Sequence, residues 1–137
     1  MDCACFNIRK ATRVVTQLFD DLMQPSGVRA TQFTILVMVA KREAATMTEL
    51  AESLVMDRTT LTRNLKPLEE QGLIRGVAGI DRRTRSISLT AKGQRILSQA
   101  LPLWKKAQAS VVRHLGSATF KRMLNDLRTV AQVRPST

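Results

Sequence analysis

The hydrophobic period of this chain is helical except in one place. Between Leu73 and Leu89 it changes to two short extended runs, Leu73 to Ala78 and Arg85 to Leu89. They flank Gly79, Ile80, Asp81, Arg82, Arg83 and Thr84, so the stretch reads as a β-hairpin with a basic tip. One hairpin set into an otherwise helical chain of 137 residues leaves few architectures. The reading is mainly α with a small β-hairpin wing, in a single domain spanning 1–137.

The helical runs around the hairpin can be placed from their spacing. Phe6, Ala11, Val14, Val15, Leu18, Phe19 and Leu22 recur every three or four residues and predict a helix over 5–24, stopped by Pro25 and Gly27. Thr31 to Arg42 is a more apolar helix, expected at the centre of the core. Thr48 to Leu54 is a short one, with Thr48 as its expected N-cap. The next starts after a capping Asp57 and ends at Gly72, with Leu61, Leu65 and Leu68 as its buried stripe and a bend expected at Pro67. After the hairpin, Thr90 caps a long helix past Ile96, Leu97, Leu101, Trp104 and Val111, and a last helix covers about 118–133.

Charge is unevenly spread. Residues 1–56 carry six basic and six acidic side chains, whereas 57–95 carry nine and four, and 105–134 seven and one. The whole chain stands at +11. Such a balance points to a polyanion, because each phosphate neutralised releases condensed counterions. In the last block the basic residues read as solvated surface. In the middle block they coincide with a helix that can protrude. With its leucines inward, Arg58, Thr59, Thr60, Thr62, Arg63 and Lys66 lie on or beside an outward face. Hydroxyls and long cations of that kind suit base edges and phosphates in a major groove about 12 Å wide. The wing then brings Asp81, Arg82, Arg83 and Arg85 to the neighbouring minor groove, where negative potential attracts arginine. Helix, short helix, helix and basic hairpin is the order of a winged helix-turn-helix.

The stretch from Thr46 to Gly93 resembles the MarR family of transcriptional regulators. Three segments carry the likeness: Thr48-Glu49-Leu50-Ala51-Glu52-Ser53-Leu54; Asp57 to Leu65 followed by Leu68-Glu69-Glu70-Gln71-Gly72-Leu73-Ile74; and Asp81-Arg82-Arg83-Thr84-Arg85-Ser86-Ile87-Ser88-Leu89-Thr90-Ala91-Lys92-Gly93. The last matches the family's Asp-x-Arg wing followed by Leu-Thr-x-x-Gly. The resemblance implies a homodimer in which residues 5–24 and 92–133 interleave with those of the partner, around a DNA-binding lobe over 30–90. It implies double-stranded DNA with a near-palindromic operator as the partner, and repression relieved by a small, often aromatic or anionic, effector. Asp81 corresponds to the wing aspartate that holds a basic side chain, and Arg83 to the minor-groove arginine. Pro67 is a departure from the family pattern. The family's organic-hydroperoxide sensors pair an N-terminal cysteine with tyrosines, and this chain has no tyrosine.

Cys3 and Cys5 are the only cysteines. Two positions apart on a helix, their side chains would diverge by about 160°, which disfavours a bridge between them. Free thiols are the plainer reading; a redox role through a disulfide to another subunit, or a soft-metal site completed by His114 or the partner, are the alternatives. His114 alone reads as a surface or interface residue, and Asp20-Asp21 as solvated charge at a helix end. Met38, Met47, Met56 and Trp104 read as core or pocket wall. No nucleophile–base pair, carboxylate cleft or glycine-rich phosphate loop is present, so no enzyme, cofactor or metal is expected. The competing class is a winged helix that binds protein instead of DNA, which the basic wing argues against. The N-terminus has no basic run followed by an apolar one, and the longest apolar run is Phe33 to Ala40, so a cytoplasmic location is expected.

Overall fold

The computed structural model describes residues 1–77 and 85–134. Its elements run α1 (Ala4–Met23), a 3₁₀ turn (Gln24–Ser26), α2 (Ala30–Ala40), β1 (Ala45–Thr46), α3 (Met47–Leu54), α4 (Arg58–Glu70), β2 (Ile74–Val77), β3 (Ser86–Leu89), α5 (Ala91–Leu115) and α6 (Ser117–Val130). The expected helices are all present. The addition is β1, a two-residue strand too short to show a period, which makes a three-stranded antiparallel sheet in the order β1-β3-β2.

The core is built around α2, whose Phe33, Ile35, Leu36 and Val39 are buried, with Leu50 of α3, Leu61, Leu65 and Leu68 of α4, Ile74 of β2 and Ile87 of β3. Trp104 of α5 stacks on Phe33 with ring centroids 5.8 Å apart, which ties the long helix to this core. Met47 is buried, and Met38 and Met56 pack partly buried against the cluster. Among the described residues no helix is long and apolar enough to cross a membrane.

Several local expectations are corrected. Thr46, not Thr48, caps α3: its hydroxyl accepts from the Glu49 amide at 3.1 Å, while Thr48 is exposed within the helix. The cap must be extended, and only Thr46, as the last residue of β1, is. Asp20 is not merely solvated. Its Oδ1 accepts from the Ala30 amide at 2.7 Å, so the end of α1 satisfies an orphan donor at the start of α2. Asp57 caps α4 as expected. The helix runs through Pro67 to end in a Schellman turn, with Gly72 at φ +71° and the Leu73 amide bonded to the Leu68 carbonyl at 2.9 Å.

Thr90 caps α5 and also reaches backwards. Its hydroxyl donates to the Gly72 carbonyl at 2.5 Å, its amide to that of Leu73 at 3.1 Å, and Lys92 Nζ to that of Gln71 at 2.8 Å. The turn that ends α4 is therefore held by the first turn of α5. Gly93 completes the joint, because a Cβ there would overlap the Leu73 carbonyl oxygen and lie 3.0 Å from its carbon. This is the physical content of the Leu-Thr-x-x-Gly pattern.

Candidate nucleic-acid interface

The exposed face of α4 is set by what the opposite face buries. Three threonines and a proline make α4 a poor intrinsic helix, at a few tenths of a kcal/mol per Thr. Burying Leu61, Leu65 and Leu68 is worth about 1.5–3 kcal/mol each and outweighs that cost. The same rotation turns Arg58, Thr59, Thr62, Arg63 and Lys66 outward, and all five are exposed. With Met47 and Arg85 they line one open concavity of about 770 Å³.

The start of the helix is rigidly made. Asp57 Oδ1 accepts from the Thr60 amide at 2.7 Å, and Oδ2 from the Thr60 hydroxyl at 3.0 Å. These bonds, the Thr60 amide first, hold the Asp57 carboxyl below its ordinary 3.8, helped by the Thr59 amide and the charge of Arg63. Thr60 therefore belongs to the cap and does not line the concavity. The Thr62 hydroxyl donates back to the Arg58 carbonyl at 2.8 Å, yet stays on the open face.

Arg85, read as the start of the second extended run and as a wing contact, lies immediately before β3. Its guanidinium meets Glu69 Oε1 at 3.2 Å, on the second half of α4. Asp81, Arg82 and Arg83 lie outside the described residues. Glu69 is the member of this surface that sequence reasoning missed. Glu69 had a signal only in hindsight of the register, which points Arg85 towards α4. Met47, read from sequence as core or pocket wall, is buried and lines the concavity from the start of α3. A second ion pair, Arg42 Nε to Glu49 Oε2 at 3.1 Å, fastens the turn after α2 to α3.

Cys3 and Cys5 do not sit alike. Cys3 is the N-cap of α1, its Sγ accepting from the Phe6 amide at 3.4 Å, whereas Cys5 is exposed in the first turn. His114 is exposed in the last turn of α5 and lines a groove with α1 and α6.

A family model described as MarR family matches residues 28–78. The organic hydroperoxide resistance transcriptional regulator of Bacillus subtilis is 31% identical over 100 residues, 72% of this chain and 68% of that protein. The chain belongs to the MarR family. That family is one of transcriptional regulators and not of enzymes. Among solved structures, the M. tuberculosis transcriptional regulator MosR in complex with DNA is 40% identical, covering 96% of this chain and 95% of that one, with a TM-score of 0.88. The transcriptional repressor CouR bound to a 23-mer DNA duplex is 25% identical over 96% of this chain and 94% of that one, with a TM-score of 0.85. The mainly helical lobe with its small sheet is thus a MarR winged helix, and α3 and α4 are its helix-turn-helix.

Proposed function

We propose that this MarR-family regulator binds operator DNA in the cytoplasm as a homodimeric repressor. The recognition helix α4 enters the major groove with Arg58, Thr59, Thr62, Arg63 and Lys66. The wing carries Arg82 and Arg83, with Asp81 holding a basic side chain, into the adjacent minor groove. The observation that carries this reading is the concavity of about 770 Å³, in which these α4 side chains converge on one exposed face. Thr60 supports the helix start and is assigned no base.

The dimer is supported by α6, which buries no residue within the chain although Leu127 and Val130 are apolar and 42% and 44% exposed. Val14 of α1 is 65% exposed, and α1, α5 and α6 border an open apolar groove of about 690 Å³. Burial at about 25 cal/mol per Å² makes such surface costly to leave in water, and a second copy of residues 5–24 and 92–133 would cover it. Two recognition helices on one face of the duplex would then read half-sites about 34 Å apart.

Release from DNA follows the binding of a small effector or oxidation at Cys3 or Cys5. The oxidative route needs two subunits to bring cysteine Cα atoms within roughly 7 Å, for which the exposed Cys5 is placed better than Cys3. A non-reducing gel and an operator-binding curve before and after mild peroxide, on wild type, Cys3→Ser and Cys5→Ser, test that route. An unchanged monomer band with unchanged affinity removes it.

The test of the docking itself is a mobility-shift titration on DNA from upstream of the gene. Arg63→Ala should lose discrimination between that DNA and random duplex, and its log–log salt slope should fall by about one unit if a phosphate contact goes with it. Identical binding of both duplexes by Arg63→Ala and wild type would sink the reading.

A further inference from the structure

Arg85 was read from sequence as a DNA contact of the wing. Its surroundings assign it another task. Antiparallel register pairs Gly76 with Ile87 and Ile74 with Leu89, so these four residues share the inward face of the hairpin. Arg85 stands two residues before Ile87, and the pleat sends it to that same face, towards α4. There its guanidinium passes over Gly76. A Cβ on Gly76 would fall 2.6 Å from Nη2 and 2.7 Å from Nε of Arg85. Beyond Gly76 the guanidinium meets Glu69 Oε1 at 3.2 Å. The main chain of Arg85 is tied as well, since its carbonyl accepts from the Met47 amide at 3.3 Å. One residue at the root of the wing thus bonds the first residue of α3 through its backbone and α4 through its side chain. It does so next to the Ser86–Val77 pair, the outermost rung of the described ladder.

We infer that Arg85 is a positioning residue that latches the wing to the recognition helix: Glu69 holds its guanidinium, and Gly76 leaves the space in which it lies. The inference rests on the proposed docking of α4 and the wing to DNA. Its consequence is opposite in sign to simple electrostatics. Glu69 is a carboxylate beside a surface meant for phosphates, so removing its charge should by itself tighten DNA binding. If Glu69 fixes the wing, removing it loosens the hairpin and weakens binding.

The experiment compares wild type with Arg85→Ala, Glu69→Gln, Gly76→Ala and the Glu69→Gln/Gly76→Ala double variant. In the free protein, amide hydrogen exchange at Ser86 to Leu89 should quicken in every variant. Operator affinity should fall about twofold to fivefold in each, the range of an exposed ion pair at 48% and 37% side-chain exposure. The double variant should be no weaker than the weaker single, because both changes dislodge the same guanidinium and their residues couple only through it. Arg85→Ala should leave the log–log salt slope as it is, whereas loss of a phosphate contact would lower it by about one unit. Tighter binding by Glu69→Gln, additive effects in the double variant, a lowered slope in Arg85→Ala, or unchanged exchange would each overturn the latch. The exchange measurement needs no DNA, so quickened exchange in chains that bind no operator would uphold the latch and remove the docking reading.

Discussion

Gly93→Ala is the substitution for which the fold makes the sharpest demand. Inside a helix the change is ordinarily favourable by about 1 kcal/mol. Here the added carbon overlaps the Leu73 carbonyl oxygen, a backbone atom that cannot rotate away. A carbon and a carbonyl oxygen settle no closer than about 3.3 Å, so the first turn of α5 must retreat from the end of α4 by on the order of an ångström. That retreat stretches two hydrogen bonds, Thr90 N to Leu73 O at 3.1 Å and Thr90 Oγ1 to Gly72 O at 2.5 Å. Each is worth about 0.5–1.5 kcal/mol, and overpacking costs about 1–3 kcal/mol more. Less the helix gain, the net loss is about 3 kcal/mol, or about 10 °C in Tm for a chain of this size. The assay is urea unfolding followed by circular dichroism at one fixed protein concentration, which matters for a dimer. Gly72→Ala is the comparison. Gly72 has nothing within 4 Å of its missing Cβ, so only its left-handed φ of +71° is penalised, by about 1–2 kcal/mol. A Gly93→Ala protein as stable as wild type, or more stable than Gly72→Ala, would refute the argument from close approach.

Val55 adopts φ 52° and ψ 50° in the turn between α3 and α4, at 76% exposure. Val55→Gly relieves a left-handed β-branched residue, worth about 1–2 kcal/mol, against about 0.5–1 kcal/mol of glycine entropy, so the urea midpoint should rise slightly; a fall would show that the side chain has contacts worth more than its strain. For Asp57 the sign follows from its lowered pKa: a carboxyl depressed in the folded state contributes stability above its ordinary 3.8, lost as pH falls through the lower folded value. Asp57→Ala should therefore melt below wild type near neutral pH, with the gap closing in melts taken below pH 3.8, and a gap constant over that range would exclude the charged cap as its source.

Legibility differed by the kind of physics each element obeys. Helices with a one-sided apolar stripe were readable to within about three residues, since burial of Leu61, Leu65 and Leu68 overrides the weak propensity of α4 and the periodic signal reports burial directly. Asp57 and Thr90 were readable as caps because each precedes a clear helical run and sits alone there. Thr46 was not, because Thr48 offers the same chemistry two residues on, and what selects between them is the extended backbone that β1 imposes through Ile87 and Ser86, about 40 residues away. Asp20 was misread for the same reason: its partner is the Ala30 amide across a 3₁₀ turn, and nothing local to Asp20-Asp21 announces it.

The site divides along the same line. Which α4 residues face outward followed from a period of 3.6 and was visible in the sequence. Which residues of the site are already engaged was not, because Thr60 of α4 is taken by Asp57, and Arg85 before β3 by Glu69, 16 positions away in the chain. A basic residue in a wing carries the same charge whether it meets a phosphate or a carboxylate, so composition cannot tell a contact from a brace. Gly76 is what separates them here. A glycine in the middle of a strand weakens it unless something must pass close by, and the group that passes is the guanidinium of Arg85. Arg-Gly-Val in one strand and Arg-Ser-Ile at the start of the other therefore encode a packed crossing, readable once the register is known and invisible before it.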